Sequence, residues 1–385
     1  MNEKNIIFTL TFTIVTLNVL YSIIISNQMR TNSNLVRLII ETNASTLFNI
    51  EPKSEKPTIK LILIWTKYFH QKYEFNFATC PRSESTNCVL TDDRDLLKSS
   101  QFVLFHMRDM HSNDMPAEKP DGQRWIVWSL ESPSNSGTRS SLLKNGHQID
   151  FVLSYRSDSD IYVPYGKLIK LTSNEKSNLT PYKNELFKYK TKTAAWMVSD
   201  CLTGSRREHL ARQMSHFMDI DIYGSCGTYS CPRSLGVKCY EKFEKQYKFY
   251  LSFENSLCPD YVTEKFYRSL NFSMIPIVFG DSHYYRSVLS HNAYIDARNF
   301  STVEELAKFV NRVGNDEELY RSYFVWKDHY RLDTYMSPMC NLCSALNNRT
   351  VTDSVISGSR NLDRWWVRNP YCKRGSYFLL DDKIP

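Results

Sequence analysis

Apolar residues along the chain gather in short continuous runs rather than in long alternating ones. Lys60–Trp65, Phe102–His106, Trp125–Leu130, Thr193–Val198, Asp219–Tyr223, Lys248–Phe253 and Met274–Phe279 are such runs. Runs of this kind, bounded by polar or Gly/Pro stretches, suit strands buried on both faces. Helical patterns stand between several of them, at Arg206–Phe217, Tyr261–Leu270, Thr302–Val313 and Glu317–Tyr330. Ser301 or Thr302 starts the third of these, with Glu304 and Glu305 in its first turn. Strands alternating with helices predict parallel sheets and an α/β fold. Tyr247–Gly280 is the clearest unit, with strand, polar turn, helix and second strand in succession. That is a βαβ pattern, so its two strands run parallel.

The first residues follow another pattern. Ile6–Ile25 is uncharged and mostly apolar, although Thr9, Thr11, Thr13, Thr16 and Asn18 dilute it. It is long enough to cross a bilayer as a helix. Neither a shorter apolar region nor a small-residue cleavage site is evident, which predicts an uncleaved signal anchor at 6–26 behind a cytoplasmic tail at 1–5. The flanking charges argue against a lumenal C-terminus, since Lys4 precedes the span while Arg30 and Arg37 follow it. The ten cysteines argue for one, with N-x-S/T triplets at Asn43, Asn178, Asn271, Asn299 and Asn348. Disulfides must form where the domain folds, so the lumenal orientation is preferred. Asn43 and Asn178 are the expected glycosylation sites.

Residues 27–57 are polar and read as a stem. Residues 58–190 read as a first α/β domain, 191–335 as a second, and 336–385 as a tail. The length of 385 residues suits two domains of ordinary size. Apolar residues make up 42% of the chain, as in a globular protein, and the formal charge of +7 is mild. No dense basic run interleaved with aromatics appears, so nucleic acid is not an expected partner. The excess charge suits phosphates or acidic glycoproteins instead. Oligomeric state leaves no mark.

Candidate chemistry sits where strands give way to helices or loops. Asp260 is a cap candidate for the helix starting at Tyr261. A helix start attracts phosphate, and Lys265 adds a full positive charge on the face of Tyr261. Glu254, Asn255 and Glu264 are placed to hold hydroxyls of a sugar or ribose. The competing reading pairs Glu264 with Arg268 and leaves Lys265 in solvent. Glu131 ends the strand Trp125–Leu130, and Ser132-Pro133 break it. Ligands of open α/β sheets bind at the carboxyl ends of strands, where a carboxylate can act as general base. The alternative is a solvated loop glutamate. Asp158/Asp160 and Asp219/Asp221 each form a D-x-D pair, a weak metal signal. Arg206 and Arg207 lie at a helix start and suit phosphate. Cys80 and Cys88 lie in a loop, and Cys340 and Cys343 form a CxxC. The CxxC lacks a second pair for zinc, and a thioredoxin-type site, which needs the motif opening a helix after a strand, is disfavoured by the secretory context.

Several of these strings resemble one family. FYLSFENS-x-x-x-DYVTEKFY (Phe249–Tyr267) resembles the donor-binding motif of the α1,3-fucosyltransferases, glycosyltransferase family 10. RWIVWSLESPS (Arg124–Ser134) is similar to its acceptor-side motif, and SYRSDSD and VPYG match as well. The resemblance covers about Lys60–Cys343 and implies a GT-B fold of two Rossmann-like domains facing a cleft. It implies a Golgi type II enzyme that transfers fucose from GDP-fucose, with inversion and without a metal or other cofactor. Glu131 is then the base, and Glu264 supports positive charge on the fucose ring. Ser199, Arg207, Tyr223, Gly224, Glu254, Asn255, Tyr261 and Lys265 bind the donor, while Tyr155 and Arg156 lie on the acceptor side. Where the family often has Ser-Asn, this chain has Ser199-Asp200. The family also implies disulfides from Cys340 and Cys343 to Cys80 and Cys88. The remaining six, Cys201, Cys226, Cys231, Cys239, Cys258 and Cys372, allow 15 pairings, which stay open. YGSCGTYSCPRSLGVKC (Tyr223–Cys239) resembles the invertebrate and core-type members. The expected acceptor is therefore GlcNAc of N-glycans, the core proximal residue ahead of antennal, Lewis-type GlcNAc. A catalytically dead glycan-binding protein on the same fold is the rival from another class.

Overall fold

The short apolar runs become strands of two parallel sheets. A computed structural model describes residues 59–81, 87–136, 149–177, 187–289, 291–334, 337–348, 362–368 and 372–373. The expected anchor at 6–26, the stem, Asn43 and Asn178 lie outside these residues. Among the described residues no helix is long and apolar enough to cross a membrane.

The first sheet contains β1 (Lys60–Ile64), β2 (Cys88–Thr91), β3 (Phe102–His106), β4 (Arg124–Ser129), β5 (Phe151–Ser154) and β6 (Ile161–Tyr162). Their spatial order is β2-β1-β3-β4-β5-β6, and every pairing is parallel. β3 and β5 are buried at every position, which is why their sequences carry no polar alternation. Cys88 is not in a loop, as the sequence suggested. It opens β2, an edge strand recruited by the backbone of β1.

Then follow β7 (Lys167–Lys170), α1 (Ser173–Ser177), β8 (Lys192–Met197), α2 (Arg207–Met214), β9 (Ile220–Tyr223), α3 (Lys238–Gln246) and β10 (Tyr247–Phe253). Next come α4 (Glu264–Leu270), β11 (Ile275–Phe279), α5 (Ser282–Val288), β12 (Ile295–Asp296), α6 (Val303–Asn315) and α7 (Glu317–Ser322). β13 (Tyr330–Asp333) and α8 (Pro338–Asn347) follow. The second sheet has the order β12-β11-β10-β8-β9, again parallel throughout. The predicted βαβ unit is β10-α4-β11.

Helix limits depart from the sequence reading in instructive ways. Thr302 does cap α6, its side chain accepting from the Glu305 N–H. The segment Glu317–Tyr330 is not one helix. It breaks into α7 and a 3-10 turn at Val325–Asp328, after which Tyr330 starts β13. β13 finds an antiparallel partner in β7, and that ladder satisfies the backbone better than a fraying aromatic helix would. α3 escaped notice although it buries Cys239, Tyr240 and Phe243.

The tail helix α8 returns to the first sheet. Met339, Leu342, Cys343 and Leu346 join the core that contains Ile62, Leu104, Ile126 and Phe151. Cys80–Cys340 and Cys88–Cys343 fix it there. The first of these closes a separation of 260 residues. In the chain-entropy model such a loop contributes about 5 kcal/mol. The open cysteines pair as Cys201–Cys226, Cys231–Cys239 and Cys258–Cys372.

Candidate active site

β10 delivers Glu254 to the carboxyl edge of the second sheet, and the chain then loops before α4 begins. That helix starts at Glu264 rather than at Tyr261. Thr263 is its N-cap residue, not Asp260. Asp260 sits in the left-handed region at φ 59°, so it ends a turn instead of opening a helix. Tyr261 therefore lies before α4, and Lys265 is its second residue.

The Glu254 side chain is wholly buried. Its carboxylate accepts from the Thr263 N–H at 2.8 Å and from the Thr263 hydroxyl at 3.0 and 2.8 Å. Lys265 Nζ lies 3.2 Å from its Oε2. A buried carboxylate needs such partners, and these use it up. Glu254 was read as a hydroxyl ligand, but it is the strap that folds Thr263 and Lys265 back onto the end of β10. Glu264 turns to Lys265 at 3.3 Å and not, as the helical spacing allowed, to Arg268. Arg268 lies over the Tyr240 ring, 5.4 Å from its centroid.

Lys265 thus stands between two carboxylates. Burial works to lower its ammonium, but Glu254 and Glu264 outweigh it and hold the group above the ordinary lysine range. Burial likewise works to raise Glu264, but Lys265 and the helix's own N–H keep it below the usual glutamate range. Both stay charged.

β4 delivers Glu131 to the carboxyl edge of the first sheet, after Leu130. Glu131 is half-buried, and its Oε2 accepts from the Tyr261 hydroxyl at a long 3.4 Å. Burial raises its carboxyl above the usual range, against the opposing pull of Lys265, the Tyr261 hydroxyl and Arg108. The Lys265 ammonium, carried by α4 beside the second sheet, thus acts on the Glu131 carboxyl across the two sheets. Glu264 acts on the same carboxyl.

The other donor-side residues surround the end of β8 and β9. Arg207 is buried as the first residue of α2, whereas Arg206 beside it is exposed at φ 54°. Arg207 donates to the carbonyls of Phe253 and Asp200, and its Nε–H has no partner among the described residues. Asn255 Oδ1 is also buried without a partner. Ser199 is exposed. Gly224 has φ 95°, and a Cβ there would lie 2.4 Å from the Val198 carbonyl oxygen, so no other residue fits. Tyr223 is buried, its hydroxyl hydrogen-bonded to that of Tyr247 at 2.9 Å.

Tyr155 and Arg156, expected on the acceptor side, are both buried. The Tyr155 ring is buried edge-on to Tyr261, with centroids 5.0 Å apart. Arg156 grips Asp158 through two hydrogen bonds, donates to the Trp365 carbonyl and covers the Trp365 ring. It holds the tail, because a guanidinium stacked on indole and paired with a carboxylate has no edge left over. Of the D-x-D carboxylates, Asp158 also accepts from Trp365 Nε1, and Asp160 accepts from the Val152 N–H. Asp221 accepts from Lys192 and the Tyr247 hydroxyl.

Sequence reasoning missed the groups facing Glu131 from β1 and β3. Tyr68 stacks on Trp128 at 4.7 Å, and burial and then Glu131 raise its hydroxyl. Phe69, 37% exposed, lies beside it, and Arg108 sits over the Phe69 ring at 5.5 Å. Asp109 holds this turn by accepting from the Phe69 and His70 N–H groups. The signal was available, since both segments leave the carboxyl ends of strands adjacent to or one removed from β4.

Comparison with known proteins is consistent across most of the chain. The family described as "Fucosyltransferase, N-terminal" matches residues 57–166. "Glycosyltransferase family 10 (fucosyltransferase) C-term" matches residues 187–365. Alpha-(1,3)-fucosyltransferase C of Drosophila melanogaster is 34% identical over 80% of this chain and 78% of its own length. Alpha-(1,3)-fucosyltransferase fut-6 of Caenorhabditis elegans is 32% identical over 80% of each. A solved structure of an alpha1,3-fucosyltransferase with GDP-fucose aligns over 84% of this chain and 96% of that one, with a TM-score of 0.46 and 15% identity.

Proposed function

Since the chain belongs to glycosyltransferase family 10 and is a fucosyltransferase, we propose that it transfers L-fucose from GDP-β-L-fucose to the 3-hydroxyl of GlcNAc on N-glycans. The core proximal GlcNAc is the favoured acceptor. One observation supports this reading: Tyr261, four residues before Lys265 in the loop that leads into α4, reaches Glu131 at the carboxyl edge of the first sheet with its hydroxyl.

The chemistry follows as a single inverting displacement. The acceptor hydroxyl attacks the anomeric carbon as Glu131 takes its proton. The bond from that carbon to the β-phosphate oxygen breaks, and its electron pair leaves with GDP. Lys265 meets the charge that develops there, and Arg207 lends its own behind it, with its Nε–H and Asn255 Oδ1 still unmatched. Glu264, held ionised, faces the positive charge that grows on the fucose ring. These cations let the reaction run without a metal, so EDTA should leave turnover unchanged; restoration by Mn²⁺ of an activity lost to EDTA would refute that. On the acceptor side, Tyr68 and Phe69 offer an apolar face to a sugar beside Glu131. Anchoring in the Golgi membrane through residues 6–26, with the catalytic part lumenal, agrees with the five disulfides of the described residues.

The deciding experiment gives the full chain GDP-fucose with N-glycans open at the proximal or the antennal GlcNAc, followed by linkage analysis. An α1,3 product on the proximal residue is expected. Transfer to antennal GlcNAc alone overturns the acceptor assignment, and transfer to neither overturns the reaction.

A further inference from the structure

The loop Ser256–Tyr261 leaves the second domain and lies across the first. The Ser132 hydroxyl donates to that of Ser256 at 2.7 Å. Asp260 Oδ2 accepts from both the N–H and the hydroxyl of Ser157, at 2.9 and 2.6 Å. Ser157 belongs to the turn after β5, in the first domain. The Asp260 N–H instead donates to Asp281 Oδ2 at 2.8 Å, in the second domain. Asp281 is itself fixed, because it caps α5. So the backbone of Asp260 is gripped from one domain and its carboxylate from the other. Its φ of 59° is a conformation that Asp and Asn tolerate better than most residues.

Tyr261 comes next, so the twist at Asp260 aims its ring. That ring stands against Tyr155, two residues before Ser157, and its hydroxyl reaches Glu131. Lys265 lies four residues beyond Tyr261, at the start of α4. The chain from Ser157 through Asp260 to Lys265 is therefore the short mechanical route between the two charged groups of the site.

We propose that Asp260 is a positioning residue for fucosyl transfer: by pinning Ser157 it sets the register of Glu131 against Lys265. The proposal rests on the reaction given above. Asp260 touches neither donor nor acceptor in that reaction. Its loss leaves both charged groups in place but lets the domains that carry them shift. A small misplacement of a base costs turnover while binding within one domain is spared.

The test uses the full chain with Asp260→Gly, Asp260→Asn and Ser157→Ala. GDP affinity, kcat and KM for both substrates are measured. Asp260→Gly keeps the backbone twist and loses the carboxylate; its kcat should fall about tenfold, with GDP affinity within about twofold of wild type. Asp260→Asn keeps the twist and one acceptor oxygen, and should recover most of the loss. Ser157→Ala should lower kcat about threefold, having lost one of two hydrogen bonds. Wild-type kcat in both Asp260→Gly and Ser157→Ala overturns the proposal. So does an equal loss of kcat and GDP affinity, which marks a merely structural role. If Asp260→Gly does not fold, Ser157→Ala decides on the same criteria. Failure of the wild type to fucosylate any glycan counts against the reaction alone. The variants are then ranked by hydrolysis of GDP-fucose, which depends on the same register, and the same ranking is required.

Discussion

Two glutamates stand at equivalent places in the molecule and meet opposite fates. Glu131 follows β4 in the first sheet, and Glu254 follows β10 in the second. Each is one or two residues beyond the carboxyl end of a central parallel strand. Glu254 is enclosed and has its oxygens taken by Thr263 and Lys265. Glu131 is half-open and has one long hydrogen bond from Tyr261. Burial raises both carboxyls. The difference is in what remains free. A carboxylate whose lone pairs are all matched builds a site; one left nearly unmatched can take a proton from a substrate.

That contrast is open to attack in order of expected effect. Glu131→Gln should lower kcat by about 10²-fold or more while GDP binding and thermal stability hold; steady-state kinetics with calorimetry measure this, and unchanged turnover removes Glu131 as the base. Glu254→Ala should act on the fold instead. It orphans the buried Thr263 N–H and leaves the Lys265 ammonium with Glu264 as its remaining carboxylate, and should cost about 3 kcal/mol in denaturant unfolding. Stability equal to wild type would put Glu254 back among the open ligands. Lys265→Ala should weaken GDP binding about tenfold and also change the pH profile. Glu131 must be ionised to work, so kcat/KM falls as pH drops through its raised pKa. Lys265 pulls that pKa down, so its removal moves the acid limb to higher pH. A limb that stays put would separate the two groups. Tyr261→Phe should move the same limb in the same direction by less, with kcat down about threefold.

Much of this arrangement was legible beforehand, and the reasons are physical. The central strands of both sheets, such as β3 and β11, are buried at every position, so their sequences are unbroken apolar runs. Glu131 and Lys265 stood in distinctive strings beside such runs. The failures arise where distant residues override local preference. Asp260 looked like a cap because it precedes a helical pattern, but Asp281 and Ser157 hold it in a left-handed turn. Glu254 and Arg156 read as open polar groups because nothing local announces that Thr263 or Trp365 will cover them. Cys258 and Cys372 are 114 residues apart, and their pairing depends on the path of the tail. The aromatic group around Tyr68 comes from three strands and forms no motif along the chain.

The helix α8 has a consequence for biosynthesis. The sheet of the first domain is translated early, but the side chains that close one of its faces, Met339, Leu342 and Leu346, come off the ribosome only after the whole second domain. The nascent first half therefore waits with an oily face uncovered and with Cys80 and Cys88 as yet unmated. Any chain ending before Pro338 is left in that condition for good, and is a client for chaperones rather than a smaller enzyme.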